Sequence, residues 1–344
     1  MSQKNLNVQS KTHKYLLNKL KDKKIFQIYK KFENEFSLKE KFIVAVSGGA
    51  DSLALSFLTK IYSIKKSLNC SYFIVDHKLR NNSSDEAKSV KKFLKKYNIN
   101  LDILKWNGIK PFSNIQSLAR VKRYNLLIEK AKKLNIKNIL TGHHADDLYE
   151  NFFIRISRGS GLNGLVSFYG NTQTQKINII RPLLNFEKKD LIYLTRNVFK
   201  FYVNDPSNKD DKFKRARIRK FIKNIEKEGL DKKKFLLTIK NLKYSNEAIK
   251  FYTEKNLNDN SFFFKKENRV ILNKEFFQQS YEIIFRSLTE VIKYVGKKYY
   301  PPRGKKVDKI INDLINKNHH KIKLTLGNCL IYKVNHTIIV TKEQ

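Results

Sequence analysis

Four short runs rich in β-branched and aromatic residues, KFIVAV (41–46), SYFIVD (71–76), NLDILKW (100–106) and IKNILTG (136–142), are each followed by a segment of helical length. Strand and helix alternating in this way predict βαβ units, whose strands lie parallel in one sheet with helices on both faces. INIIRPLL (177–184) supplies a fifth strand, so the fold class is α/β, a doubly wound, Rossmann-like parallel sheet of five strands. Beyond about Phe213 strand signals thin out, and Lys- and Phe-rich helical segments run to about residue 295. Three closing runs, IKLTL (322–326), CLIYKV (329–334) and TIIVTK (337–342), read as a small β meander. Ser83 with Glu86, and Ser113 with Gln116, form capping-box patterns at the starts of the second and third helices.

With 344 residues, 41% of them hydrophobic, the chain can bury a sizeable core, and its length suggests two domains. Lys and Arg number 71 against 31 Asp and Glu, a net charge of +40, which calls for an anionic partner larger than a nucleotide. Nucleic acid leads a membrane surface as that partner; a biased genome composition is the plainer alternative. Cys70 and Cys329 stand far apart and outside any CxxC pair, which suggests neither a disulfide framework nor a cysteine zinc site and fits a reducing cytoplasm. MSQKNLNVQSKTHKY at the N-terminus lacks the apolar core of a signal peptide, and no run of about 18 apolar residues could cross a bilayer. A cytoplasmic protein without a membrane partner is expected.

KFIVAV runs directly into SGGADS, and the segment Ala50 to Lys66 carries Leu53, Leu55, Phe57, Leu58 and Ile61 at near-helical spacing. Glycine at such a strand-to-helix turn lets the backbone approach a ligand, and the free N–H groups of a helix N-terminus favour an anion, most often phosphate. An ordinary tight turn would use the same glycines. In an open α/β sheet the ligand sits beyond the carboxyl ends of the strands, so SGGADS, DHKLR (76–80) and HHADDLYEN (143–151) should face one site. Helical spacing puts His143, Asp147, Glu150 and Ile154 on one face, and Leu148 and Phe152 on another. Acids there also complement the helix dipole, which accounts for the carboxylates but not for paired histidines at a strand exit. GSGLNG (159–164) matches the dinucleotide fingerprint G-x-G-x-x-G, but it follows the helical FFIRISR instead of a strand and reads as a loop flanked by Arg155 and Arg158. No G-x-x-x-x-G-K-[ST] occurs, and His319 and His320 read as solvated linker residues.

SGGADS resembles the SGGxDS loop of the ATP-pyrophosphatase (PP-loop) superfamily, whose members adenylate a carbonyl oxygen and release pyrophosphate. DHKLR, the arginines of 119–124, TGHHADDLYENFFIRISRGSG (141–161), IIRPLL (179–184) and DPSNKDDKFKRARIR (205–219) resemble, in order, the motifs of the tRNA(Ile)-lysidine synthetases, and PPRGKK with LTLGNCLIYK is similar to their shorter forms. Two positions depart from that pattern, Lys78 in place of glycine and Ala216 in place of asparagine. The resemblance implies an ATP-dependent ligase that joins free L-lysine to C2 of the first anticodon cytidine of an isoleucine tRNA with a CAU anticodon. It also implies an N-terminal extension (1–25), a PP-loop catalytic domain (26–225) and a basic, mainly helical tRNA-binding domain (226–344) ending in the small β element.

Carried onto this chain, the family's catalytic roles fall to Asp51, His143, Asp147 and Glu150. ATP binding falls to Ser47, Gly48, Gly49, Ala50, Asp51, Ser52, His77 and Arg120, with Asp51 as a Mg²⁺ contact, and tRNA binding to Arg123, Arg158, Arg215 and Arg219. A PP-loop tRNA thiolase and a non-catalytic RNA-binding protein are the alternatives. Oligomeric state stays open, a homodimer being one option.

Overall fold

The computed structural model describes residues 3–79, 82–108, 115–203, 214–298, 302–316 and 321–343. Arg80, Ser113, Asp205 to Phe213, Pro301, His319 and His320, all part of the patterns above, lie outside them. The chain divides into two compact units, Met1–Ile239 and Lys240–Gln344.

In chain order the first unit holds helices α1 (Gln3–Asn18) and α2 (Lys23–Glu35), strand β1 (Phe42–Val46), α3 (Ala50–Lys66), β2 (Cys70–Asp76), α4 (Ser83–Lys95), β3 (Leu101–Lys105), α5 (Ile115–Lys133) and β4 (Asn138–Thr141). It continues with α6 (Ala145–Ile156), α7 (Leu162–Val166), β5 (Thr172–Thr174), β6 (Ile177–Ile180), α8 (Lys188–Phe199) and α9 (Lys214–Lys227). Its sheet is six-stranded, ordered β3-β2-β1-β4-β6-β5. The strands expected to be parallel are so, and short β5 is added antiparallel to β6 at the edge.

β1 shows why helices must cover both faces. Phe42, Val44 and Val46 join one buried cluster, with residues of α2, α3, α4 and α8. Ile43 and Ala45 join a second, against Leu127, Ile128 and Ala131 of α5. A strand apolar on alternate sides over a continuous run has no solvent face. The first of these clusters also takes in Leu16 of α1, so the segment before residue 25 contributes to the core.

Sequential strands build outward from β1 to β2 and β3, after which the chain returns to place β4 on the other side of β1. Beyond the carboxyl ends of β1 and β4 this reversal opens a crevice, the usual ligand position in such sheets. Two turns meet there closely. A Cβ at Gly142 would lie 3.1 Å from the backbone carbonyl of Asp51 and 3.1 Å from Cα of Ser52, so any side chain there would push the chain leaving β4 away from the start of α3.

The capping box expected of Ser83 and Glu86 does not form. Asn82 holds the N-cap position without a side-chain bond. Ser83 and Ser84 instead donate their hydroxyls to Asp76 at 2.9 and 2.5 Å, tying α4 to the end of β2.

Helix α10 (Lys232–Asn260) carries the chain into the second unit. Where helical segments were expected as far as about residue 295, a hairpin of β7 (Ser261–Phe264) and β8 (Arg269–Leu272) intervenes, then come α11 (Tyr281–Val295), α12 (Gly304–Asn316), β9 (Lys321–Leu326), β10 (Cys329–Val334) and β11 (Thr337–Lys342). The hairpin extends the predicted meander into a five-stranded sheet, ordered β7-β8-β11-β10-β9. One sheet face, with Val270, Leu272, Ile331 and Val340, shares a core with Leu288 and Val291 of α11 and Val307 and Ile311 of α12.

Candidate active site

The crevice is a cleft of about 430 Å³, lined from the first turn by Ser47, Gly49, Asp51 and Ser52. Gly48 shapes that turn at φ +85°, and a Cβ there would meet Val90 Cγ2 at 2.8 Å and Val203 Cγ2 at 3.2 Å. Its carbonyl accepts the Val203 N–H at 2.9 Å, and the Ala50 carbonyl accepts the Thr195 hydroxyl at 2.8 Å. Ser52 Oγ accepts the Ser47 N–H at 3.1 Å and donates to the Gly49 carbonyl at 3.0 Å, closing the loop on itself. The start of α3, with its N–H groups and positive dipole end, therefore faces the cleft in a held conformation.

Opposite stands the entry to α6, where helix begins at Ala145 and not at the histidines. His144 is the N-cap residue. Its Nδ1 accepts the Asp146 N–H at 3.2 Å, while its backbone N–H donates to Asp147 Oδ2 at 3.1 Å, completing a capping box. Its Nε2 lies 3.4 Å from Asp51 Oδ2 and 3.6 Å from Asp147 Oδ2. With Nδ1 accepting, the proton of the neutral ring sits on Nε2, between the two carboxylates. Burial opposes a second proton, but Asp147, Asp51 and Asp146 outweigh it and raise His144 to about 9. The charged ring would turn Nδ1 from cap acceptor to donor, facing Asp146 Oδ2 at 3.7 Å.

His143 behaves oppositely. Its Nδ1 meets Thr141 Oγ1 at 2.8 Å and its ring stands edge-on to Phe168, with centroids 5.1 Å apart. Burial, reinforced by Arg120, Arg181 and Arg123, pushes it down to about 3 against the pull of Asp147, so it is neutral at pH 7. Burial also opposes ionisation of Asp147, yet His144, His143 and Arg215 hold its carboxyl below the usual range.

Sequence reasoning put His143, Asp147 and Glu150 together on one helix face. The cleft receives His143 and Asp147, but Glu150 is 2% exposed and paired with Arg219, whose Nη2 is 3.3 Å from Glu150 Oε2. Burial raises the Glu150 carboxyl above its usual range, with Arg219 opposing. Arg120, Arg123, Arg215 and Arg219 line the cleft as a cationic wall, and His77 lines it from the second turn. Arg158 is exposed beyond the end of α6. Ala216 is buried on α9.

Two residues escaped sequence reasoning. Histidine is not among the usual N-cap types, so His144 was seen only as half of a pair; its position directly before A-D-D, with an acid three residues on, was the available signal. Arg181, the arginine of IIRPLL, stacks on Phe168 at 4.9 Å and donates to the Gly170 carbonyl at 2.7 Å.

Asp51 Oδ1 is buried and has no hydrogen-bond partner. Among the described residues no group of three or more His, Cys, Asp or Glu is arranged to hold a metal ion. Such an oxygen suits Mg²⁺, which is commonly held by one or two carboxylates with substrate phosphates and water completing its shell. No cysteine is among the residues lining the cleft. Among the described residues no helix is long and apolar enough to cross a membrane.

Residues 18–226 match the family model described as a PP-loop domain. Over 302 residues the chain is 33% identical to the tRNA(Ile)-lysidine synthase of Wolbachia pipientis wMel, covering 87% of this chain and 70% of that one. It is 35% identical to the enzyme of the same name from Orientia tsutsugamushi (strain Boryong) over 325 residues, 88% of this chain and 70% of that one. Among solved structures, the U34-tRNA thiolase NcsA of Methanococcus maripaludis matches 65% of this chain and 79% of its own with a TM-score of 0.57 and 17% identity, a likeness of fold.

Proposed function

Because the chain belongs to the tRNA(Ile)-lysidine synthase family of PP-loop, ATP-using enzymes, we propose that the cleft between β1 and β4 is where lysidine is made, from ATP, free L-lysine and the first anticodon cytidine of an isoleucine tRNA with a CAU anticodon. The carbonyl oxygen at C2 attacks the α-phosphorus of ATP, and pyrophosphate leaves. The neutral ε-amine then attacks C2, the C–O bond breaks, AMP departs with the oxygen, and the amine loses a proton to a base.

The observation that carries this reading is the meeting of SGGADS with the HHADD helix entry, where His144 Nε2 lies within 3.6 Å of the carboxylates of both Asp51 and Asp147. Backbone N–H groups from Gly48 to Ser52, the Arg120 guanidinium and His77 bind the triphosphate. Asp51, with an oxygen that has no other partner, would hold Mg²⁺, which would neutralise phosphate charge. Asp147, kept ionised by its neighbours, orients the lysine amine and takes its proton, while neutral His143 contacts the reacting phosphate. Glu150 acts through Arg219, holding that guanidinium at the cleft. Arg123, Arg215 and Arg158 bind tRNA phosphates.

The test is incubation of the chain with isoleucine tRNA transcript, labelled ATP and labelled lysine, followed by mass analysis of the nucleosides. Cytidine bearing lysine in place of its C2 oxygen, with equal AMP and pyrophosphate, is expected. A sulfur-bearing base or an unmodified tRNA overturns the proposal.

A further inference from the structure

β7 carries Phe262, Phe263 and Phe264 in succession, and all three are exposed, at 55%, 41% and 38%. Three adjacent phenylalanines cannot be left in water without cost, and this strand is at the edge of its sheet. Phe263 stands edge-on to Tyr294 of α11 at 5.1 Å. Strand alternation sends Phe262 and Phe264 to the other side.

Pairing registers show what surrounds them. Phe262 is opposite Ile271, which is opposite Ile339, then Tyr332, then Lys323, a row running across all five strands. Two residues along, Phe264 is opposite Arg269, then Thr341, Leu330 and Thr325. Both rows share one face, since side chains two residues apart in a strand point the same way. The opposite face is spent on the core beneath α11 and α12, whereas every residue of these two rows remains partly or fully exposed.

Cations stand over the rings of this open face. Arg269 lies 4.9 Å from the centre of the Phe264 ring, while also paired with Glu267 at 2.7 Å, and Lys323 Nζ lies 5.7 Å from the centre of Tyr332. Lys265 and Lys266 are exposed in the turn that joins β7 to β8. Rings that offer π-surfaces, bordered by cations that can meet phosphates, match unpaired nucleotides, whose bases stack on aromatic side chains on a sheet. A net charge of +40 favours the same anionic polymer.

We propose that this sheet face is an RNA-binding surface on which Phe262, Phe264 and Tyr332 stack unpaired bases of the tRNA substrate. The inference rests on the lysidine-forming reading above and adds to it a second, non-catalytic contact with the tRNA.

The full-length chain is titrated with isoleucine tRNA transcript by fluorescence anisotropy over a range of salt. The double variant Phe262→Ala/Phe264→Ala should bind about 10- to 100-fold more weakly, with an unchanged slope of log affinity against log salt because no phosphate contact is lost. Lys265→Gln/Lys266→Gln should reduce that slope, and Phe262→Tyr/Phe264→Tyr, which keeps the rings, should bind as the parent does. Lysidine formation by the alanine variant should show a raised KM for tRNA and an unchanged kcat. If the alanine variant fails to fold, photocrosslinking of the parent chain to tRNA carrying 4-thiouridine gives the same decision, with adducts expected on β7 or β10. Unchanged tRNA affinity, a loss that tyrosine does not restore, adducts confined to other elements, or a parent chain that pairs through this face in sedimentation equilibrium would each overturn the inference. A parent that binds tRNA but makes no lysidine would count against the catalytic reading alone.

Discussion

His144 Nε2 lies 3.4 Å from Asp51 Oδ2, so one imidazole joins the residue that opens α6 to the first turn of α3. The ring is 3% exposed; when neutral it caps its own helix with Nδ1, and in either state Nε2 reaches across the cleft. Its two nitrogens therefore serve separable purposes. Above pH 9, where the ring is neutral and Nδ1 accepts, His144→Ala should lose about 1 kcal/mol of stability with the cap; at neutral pH, where the ring is charged, it should lose about 10- to 100-fold in adenylation with the bridge to Asp51. His144→Asn should regain the melting temperature measured above pH 9 but not the rate, because its side chain can cap yet is too short to span to Asp51. Recovery of both would reduce His144 to a cap.

Asp51→Asn changes charge at nearly constant size beside the departing pyrophosphate. Adenylation, read as release of labelled pyrophosphate, should fall by about 10²- to 10³-fold with the fold intact. Near-normal turnover would remove Asp51 from the chemistry.

Asp147→Asn should spare the helix, since an amide oxygen can still accept the His144 N–H now bound at 3.1 Å. Single-turnover assays should then show adenylated tRNA accumulating while lysine transfer slows by about 10²- to 10⁴-fold, the usual loss for a general base. Normal transfer with a lower melting temperature would assign Asp147 to helix capping alone.

The adjacent histidines predict a stability maximum near pH 6.5, because their shifts have opposite signs. His144 is raised from 6.5 to about 9 by Asp147, Asp51 and Asp146 against burial, so its contribution is complete below pH 6.5 and is lost as pH climbs through 9. His143 is lowered from 6.5 to about 3 by burial and by Arg120, Arg181 and Arg123 against Asp147, so the neutral ring's contribution declines as pH falls below 6.5. Thermal melts across pH should show His144→Asn flattening the alkaline limb and His143→Gln the acid limb. Identical profiles for parent and variants would show that neither histidine is coupled to folding.

The parallel sheet was legible because its parallel strands fall in short runs rich in apolar residues with a helix-length segment behind each, and β1 is buried at every residue but half-buried Ala45. β5 was not, since TQT has neither length nor apolar content and is ordered by pairing with β6. SFFF was absorbed into the preceding helix because no glycine or proline separates it from the 29 residues of α10, and its phenylalanines also fit a helical surface. In the cleft, motif spacing led to Asp51, His143 and Asp147, but a partner such as Arg219 for Glu150 is 69 positions away and has no local signature. Ser83 and Ser84 show the same limit, for a capping pattern loses to a buried carboxylate that only the fold brings within reach.

Lys78 adopts φ +50°, a left-handed conformation that costs a side chain more than it costs glycine. What holds it there is the carboxylate of Asp76, whose Oδ1 accepts the Lys78 N–H at 3.0 Å in an Asx turn. The bend at Lys78 is thus held by the aspartate two residues before it. One buried carboxylate therefore bends the chain at Lys78 and fastens the start of α4 through Ser83 and Ser84, so a change at Asp76 would loosen both ends of that connection at once.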